Sequence, residues 1–507
     1  MIDRRTFLRR LAGAPLASAM GPFAGGGPGV SAQEAQGRLN ILVVVFDTLS
    51  ATNMSLYGYP RRTTPQIERF AERAAVYHAH YAGGSFTPSG TATLLTGTNA
   101  WTHRAMHHAG TVLPELAPHN LFACLPRHHR IAYTHNLFAE LQFSQFREHI
   151  DRHIDPAAFS LTDGVVYDWL SRDDVAAYHG IEDLALQSYD SSSLHFMFLE
   201  LAVRKLREWI INRRNQAEFP RGLPDHYRML CRLEDATAGV MSTIEACPRP
   251  YLFYVHLLPP HAPYNPAARF IGRFDRGWNP APKPRHPLSQ DYAQAELDEL
   301  RRHYDESVAY VDAEFGRLID RLEASGAMAD TCVVLTSDHG EMFERATYEH
   351  ESPHLFDAVV KIPLLIRWPG LTRRHDVGAF TSATDVLPTL LHLAGEPIPA
   401  WCEGRVLPPA TEAGGSRPVF ALDARRTPKR GPLTQGTAAM LEDRMKLIYY
   451  HGYPRYDDVV ELYDLDADPD EVVDLAATRT ERAMAMKADI LARLEQAGLP
   501  VVGVRSA

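Results

Sequence analysis

Two apolar runs, Asn40-Ile41-Leu42-Val43-Val44-Val45-Phe46 and Cys332-Val333-Val334-Leu335-Thr336-Ser337, lead directly into acidic residues. A strand with one wet face alternates apolar and polar side chains. An unbroken β-branched run is therefore built for burial on both faces, as in the central strands of a parallel sheet covered by helices. In such sheets ligands bind outside the carboxyl ends of the strands. The residues there are Asp47 and Thr48 after the first run, and Asp338-His339-Gly340-Glu341 after the second. Side by side, the two strands bring Asp47, Asp338 and His339 to one rim. Two carboxylates and an imidazole suit one divalent cation, Mg, Mn, Ca or Zn. Each acid alone reads equally well as a helix cap or a loop charge.

A third segment belongs with that rim. Gly84-Ser85-Phe86-Thr87-Pro88-Ser89-Gly90-Thr91-Ala92-Thr93-Leu94-Leu95-Thr96-Gly97 reads as a glycine-rich turn entering a short helix that stops at a glycine. A side chain at the entry faces unpaired backbone N–H groups and the positive end of the helix dipole, so an anion against Thr87 is stabilised without lysine or arginine. Thr87 is then either a helix cap or a nucleophile and fourth metal ligand.

Six further motifs stand in order along the chain: Tyr57-Gly58-Tyr59, Thr64-Pro65-Gln66-Ile67, Pro260-His261-Ala262-Pro263-Tyr264, Ile362 to Gly370, Asp385-Val386-Leu387-Pro388-Thr389-Leu390, and Glu461-Leu462-Tyr463-Asp464-Leu465. With the three segments above, the chain resembles the sulfatase branch of the alkaline-phosphatase superfamily from about residue 38 to 480. The resemblance implies an α/β fold, an alkaline-phosphatase-like α/β/α sandwich with a large, mixed, mostly parallel sheet and a small C-terminal antiparallel subdomain. It also implies a departure. Family sulfatases carry Cys-x-Pro-Ser-Arg, whose cysteine becomes formylglycine. Counting back from Leu94-Leu95-Thr96-Gly97 puts Thr87 at that cysteine and Thr91 at the arginine, with the proline out of register at Pro88. A one-residue slip puts Phe86 there instead and brings in Ser85 or Ser89. With Asp47, Thr87, Asp338 and His339 as its set, the chain is similar to single-metal phosphonate monoester hydrolases and to phosphoethanolamine transferases that use a threonine nucleophile. An alcohol is a poor nucleophile at neutral pH, and coordination to a divalent cation is the usual remedy.

Histidines supply the remaining candidates. His261 lies in a proline-fixed loop past the strand Tyr251 to Val255, where the resemblance implies contact with the ester or protonation of its leaving group. His256, at the strand end, backs it up as a substrate-binding residue, alongside Thr91 and His354. His350 follows the metal motif at the distance where the family places a group on the substrate oxyanion, and it equally reads as a loop histidine. His103, His107 and His108 read either as pocket lining or as a solvated turn.

Arg4-Arg5-Thr6-Phe7-Leu8, a dilute apolar stretch from Leu11 to Ala24 and a small-residue site at Val30-Ser31-Ala32 form a twin-arginine signal over residues 1 to 32. The expectation is a periplasmic or secreted protein, delivered folded by the twin-arginine machinery, with no transmembrane segment in the mature chain. The catalytic domain is expected over 38–400 and the small subdomain over 401–507. A helical insert from about 140 to 245 includes Tyr167-Asp168-Trp169-Leu170 and an amphipathic Phe196 to Ile211. A stripe from Leu297 to Leu322 marks one long helix. Short strands are expected at Ala438 to Glu442, Met445 to Tyr450 and Glu461 to Tyr463.

With 45% hydrophobic and 22% charged residues, the chain is an ordinary globular protein. A formal charge of −10, with no basic stripe, argues against nucleic acid as a partner. Its five cysteines, Cys124, Cys231, Cys247, Cys332 and Cys402, show no metal-ligand spacing. The functional expectation is a metal-dependent hydrolase of a sulfate or phosphate ester with a small-molecule, lipid or glycan leaving group. A phosphoryl transferase or phosphodiesterase is the second reading, and an inactive binding protein on the same fold the third.

Overall fold

The first apolar run forms β1 (Asn40–Phe46), all seven residues of which are buried. Its side chains enter two different cores: Leu42, Val44 and Phe46 on one face, and Ile41, Val43 and Val45 on the other. Burial on both faces is what the run was built for, at about 1.5–3 kcal/mol for each large aliphatic side chain. The computed structural model describes residues 39–107, 110–161, 194–226, 229–412 and 416–502. The expected signal segment and Tyr167 to Leu170 lie outside the described residues, as does His108.

The remaining strands of the large sheet are β2 (Ala75–Tyr81), β3 (His129–Thr134), β4 (Arg152–His153), β5 (Tyr251–Leu257), β6 (Thr331–Thr336), β7 (Leu364–Arg367) and β8 (His375–Ser382). Their order is β8-β2-β7-β6-β1-β5-β3-β4. Every pairing is parallel except those of β7, which is antiparallel to both β6 and β2. The sheet is thus mixed and mostly parallel, as the resemblance implied.

One face is covered by α1 (Pro65–Ala71) and by two helices later in the chain. The other begins with α2 (Thr87–Thr96) and α3 (Leu137–Gln145). The amphipathic segment of the expected insert is α4 (Leu194–Asn215). Next come α5 (Leu233–Ala246) and α6 (Gln294–Ala324), whose Val240, Ile244, Tyr304, Val311, Phe315 and Leu322 join the core of α1. The stripe from Leu297 to Leu322 is this last helix. Helix α7 (Val386–Ala394) packs Leu387, Leu390 and Leu391 on the α2 side and ends at Gly395, φ 69°.

The small sheet is an antiparallel meander of β9 (Val419–Asp423), β10 (Gly436–Glu442), β11 (Met445–His451) and β12 (Val459–Asp464). Strand β9 was not legible among the prolines and glycines around it. One face buries Met440, Leu447 and Tyr449 against α8 (Thr480–Gln496). The opposite face packs Val419, Ala439, Ile448 and Tyr450 against Tyr81, Met342, Phe356 and Phe380 of the large body. This second contact carries β9 to the turn after β2, where the Leu422 N–H donates to the Gly83 carbonyl at 3.0 Å.

Candidate active site and metal cluster at the strand ends

Register alone assembles the site. Val45 of β1 stands opposite both His256 of β5 and Thr336 of β6, and Thr134 of β3 stands opposite His256. Two residues beyond that level, Asp47, Asn136 and Asp338 leave the same edge of the sheet side by side. All three are essentially inaccessible to solvent.

Each acid has one oxygen held by the protein and one that is not. Asp338 Oδ1 accepts the backbone N–H of His339 at 3.0 Å and of Thr48 at 3.3 Å, and Asp47 Oδ2 accepts the Asn136 side-chain amide. Asp47 Oδ1 and Asp338 Oδ2 have no hydrogen-bond donor among the described residues. His339 Nε2 lies 3.5 Å from each of these spare oxygens. Its Nδ1–H donates to the Gly340 carbonyl at 3.0 Å, so the neutral ring turns the Nε2 lone pair toward the acids. Burial holds the His339 imidazole below its usual pKa and pushes the Asp47 carboxyl well above its own, the charge of Asp338 adding to the latter. Buried oxygens of two acids facing one imidazole lone pair, with the Thr87 hydroxyl beside them, are a donor set suited to a divalent cation.

His256 sits closer to this set than the sequence placed it. Its Nε2 is 3.6 Å from Asp338 Oδ2, and single ligand atoms of Asp47, His256 and Asp338 all fall within 4.8 Å of one another. Neither ring nitrogen has a hydrogen-bond partner among the described residues, and burial lowers the pKa to about 4. A histidine expected to back up substrate binding thus lies among the candidate metal ligands.

Thr87 is the first residue of α2, and the N-cap is Phe86 (φ −156°, ψ 160°). The Thr87 hydroxyl makes no capping hydrogen bond; its Oγ1 lies 3.5 Å from His339 Nε2. Pro88 follows where its missing N–H costs nothing, and Gly97 (φ 64°) closes the helix. Gly90 explains how the helix comes so near: a Cβ there would stand 2.1 Å from the Asp338 carbonyl oxygen. Thr91 lies one turn beyond Thr87 on the same face, and its buried hydroxyl has no partner among the described residues.

The histidines separate into two groups. His350 packs its ring 4.3 Å from that of His339, and its Nδ1 lies 3.0 Å from Glu341 Oε1. Glu341 also accepts from Tyr264 OH at 3.1 Å, and burial holds its carboxyl well above the usual range. His261 packs 5.2 Å from His350, with its Nδ1–H directed to the Ala262 carbonyl at 2.6 Å, and burial lowers its pKa. His354 lies elsewhere: its ring contacts are His286 at 4.4 Å and Phe356 at 5.6 Å. His103 is buried with Nε2 3.0 Å from Thr93 Oγ1 and Nδ1 accepting from the Ala105 N–H at 3.0 Å, an internal brace for the α2 region.

Three partners of the site were missed in the sequence. Asn136 follows strand β3, and its Oδ1 also caps α3 by accepting from the Phe138 N–H at 2.7 Å, a strand-end asparagine before a helix being its only local signal. Tyr304 of α6 donates its hydroxyl to the Thr48 carbonyl at 2.6 Å and accepts the Ser50 N–H at 2.9 Å. It thereby pins Thr48 at φ 59°, a left-handed conformation that a β-branched residue adopts only at a cost. Arg425, on the turn after β9, had no signal at all.

An α/β/α sandwich with a small C-terminal sheet and an acid–imidazole cluster at the strand ends defines an alkaline-phosphatase-like protein. The chain belongs to the sulfatase family, whose sequence model matches residues 39–396, and the C-terminal model of N-sulphoglucosamine sulphohydrolase matches residues 349–497. It is 29% identical over 201 residues to arylsulfatase K of Xenopus laevis, covering 38% of this chain and 37% of that protein. It is 28% identical over 250 residues to the choline-sulfatase of Rhizobium meliloti (strain 1021), covering 45% of this chain and 46% of that protein. The matched segments therefore span less than half of either relative. The fold is similar to that of the phosphonate monoester hydrolase of Agrobacterium radiobacter, with a TM-score of 0.67, 18% identity, and coverage of 91% of this chain and 96% of that one. No helix among the described residues is long and apolar enough to cross a membrane.

Proposed function

We propose that the protein is an exported, metal-dependent hydrolase of a sulfate or phosphate-type ester, with the Thr87 hydroxyl as nucleophile. The observation that carries this reading is the convergence of Thr87 Oγ1, Asp47 Oδ1 and Asp338 Oδ2 on the Nε2 of His339, at 3.5 Å in each case. Asp47, Asp338 and His339, with Thr87 and with His256 adjacent, would hold one divalent cation. When bound, such an ion lowers the pKa of a hydroxyl and neutralises charge on ester oxygens. The kinship with sulfatases supports an ester of a tetrahedral oxyanion as substrate, and the arylsulfatase and choline-sulfatase relatives support a small-molecule or glycan leaving group.

The chain's own residues divide the remaining work. Thr87 attacks sulfur or phosphorus from the buried end of α2, where backbone N–H groups favour an anion. Asn136 and the Thr48 and His339 N–H groups keep the two carboxylates oriented. His261, whose Nδ1 proton stays on the Ala262 carbonyl, is assigned to the leaving group through Nε2, which must first take up a proton, such as the one Thr87 loses on attack, before giving it to the departing alcohol; His350, oriented by Glu341, is assigned to the oxyanion. Thr91 is assigned to the substrate pocket by its place one turn along the same helix face.

Phosphoryl chemistry is the preferred branch, and the observation favouring it is the threonine itself. A phosphothreonine is released by in-line attack of water, or of an acceptor alcohol in a transferase. A sulfothreonine lacks the elimination route open to a formylglycine hemiacetal. Purified protein supplied with divalent metals and a panel of aryl sulfate, phosphomonoester, phosphodiester and phosphonate substrates tests the reading. Phosphoester or phosphonate turnover should exceed aryl sulfate turnover. The Thr87 peptide should gain the mass of the transferred group during turnover, and Thr87→Ala should lose about 10³-fold or more in kcat. Full activity in Thr87→Ala would move the nucleophile to Ser85 or Ser89, and no turnover of any ester would favour a binding protein on the same fold.

A further inference from the structure

We propose that Arg425, delivered from the small C-terminal sheet, is the anion-recognition residue of this site, standing in for the arginine absent from helix α2. The proposal rests on the reading of the site as one for a sulfate or phosphate-type ester.

Contacts of Arg425 and of the turn that carries it place it beside the site. It lies on the turn that follows β9, and β9 is joined to the turn carrying Thr87 by the hydrogen bond from Leu422 N–H to Gly83 O. Gly84 lacks a Cβ where one would lie 3.0 Å from the Leu422 carbonyl, so the two turns touch backbone to backbone. The guanidinium stands 5.0 Å over the ring of Phe86, the residue before Thr87. Its Nη2 donates to the Ser352 carbonyl at 2.7 Å and the His350 carbonyl at 3.3 Å, which ties it to the loop whose His350 ring packs on His339.

The orientation of the guanidinium separates a recognition group from a structural ion pair. Asp423 takes Nε and Nη2 side-on, at 3.1–3.2 Å and 2.6 Å, and Ser85 Oγ donates to the same carboxylate at 3.3 Å. Nε and Nη2 are thereby occupied. Nη1, the outer amino group, makes no hydrogen bond among the described residues, and the side chain keeps 17% of its surface exposed. With Nη2 shared among Asp423 and the Ser352 and His350 carbonyls, the guanidinium is held in a fixed plane that leaves Nη1 as the group to donate to an oxyanion. Charge points the same way. The cluster holds Asp47 and Asp338, with Glu341 behind them and Glu351 acting on Arg425 from the loop. A single divalent cation balances the first two acids, so an anionic substrate group calls for one more cation, and α2 offers Thr91 where the family resemblance implies an arginine.

The test uses the metal-loaded, full-length mature protein and reads anion binding by calorimetry with inorganic phosphate and inorganic sulfate, independently of turnover. Arg425→Gln should weaken binding of the anion by about ten- to a hundredfold, the loss expected for charge-assisted hydrogen bonds. Arg425→Lys should recover only part of it, because an ammonium lacks the fork. In turnover the Gln variant should raise KM more than it lowers kcat. Metal content and melting temperature serve as the control for the tie to Ser352, and Arg430→Gln, which removes an exposed arginine paired with Glu115, should bind the anion within about threefold of wild type. Wild-type affinity in a folded, metal-loaded Arg425→Gln protein would overturn the proposal. So would full rescue by lysine, or failure of the wild type to bind either anion. Tight anion binding that depends on Arg425, with no ester turned over, would uphold the recognition residue and sink the hydrolase.

Discussion

At the scale of single residues, Asp338 is the pivot of the cluster. Its Oδ1 receives the Thr48 and His339 N–H groups, while its Oδ2 faces both His256 and His339. Asp338→Ala should therefore abolish binding of the divalent ion as well as activity. Metal analysis of the purified variant checks it, and occupancy equal to the wild type would contradict the ligand assignment. The packing of Gly90 belongs to the same scale. The 2.1 Å approach to the Asp338 carbonyl that a Cβ would make shows that α2 is seated directly on the ligand loop, so the position of Thr87 depends on a residue with no side chain.

At the scale of elements, the site hangs on the ends of β1, β5 and β6 and is held from behind by α6. Tyr304 reaches from that helix to satisfy two backbone groups at once, the Thr48 carbonyl and the Ser50 N–H, in the stretch that leaves β1. Tyr304→Phe keeps the ring in the core but strands both groups. Stability should fall by about 1–3 kcal/mol, with metal affinity reduced because Thr48 N–H loses its hold on Asp338. Denaturant melts of the two proteins, with and without added metal, read this directly; unchanged midpoints would mean that water replaces the phenol. The long helix was legible from its apolar stripe, yet nothing in its periodicity marked Tyr304 as anything but core.

At the scale of the whole molecule, buried histidines set the acid limit of the fold. His80 and His103 are inaccessible to solvent, and burial lowers the pKa of each from 6.5 to about 3. Between those values the unfolded chain takes up the protons and the folded chain does not. Their stability contribution is full above about pH 6.5 and is lost as the pH falls toward 3, at up to about 1.4 kcal/mol per pH unit for each. Unfolding midpoints should drop steadily over that window, less steeply in His103→Gln; a flat profile would show that these imidazoles are protonated in place. The proposed export is also tested on the whole chain. Arg4→Lys with Arg5→Lys should leave folded, unprocessed protein in the cytoplasm, as fractionation would show, whereas normal processing would mean that the signature is not read.

Local chemistry determined a good deal of this protein. Unbroken apolar runs give doubly buried strands wherever they are placed, and an acid after such a run must lie at a strand end. Asp47, Asp338, His339 and the helix entry at Thr87 were accordingly legible one segment at a time. Only the tertiary structure decided which strands are neighbours. Strand β1 lies between β5 and β6, both more than 200 residues away in sequence, and that order turned His256 toward the acids and set Asn136 on Asp47. It also sent His354 into a separate aromatic cluster and brought Arg425 across from a second sheet. Strand order and register are settled by long-range pairing and by the match of whole faces. No window of residues carries that information, which is why the candidate metal ligands were foreseen more fully than the residues that surround them.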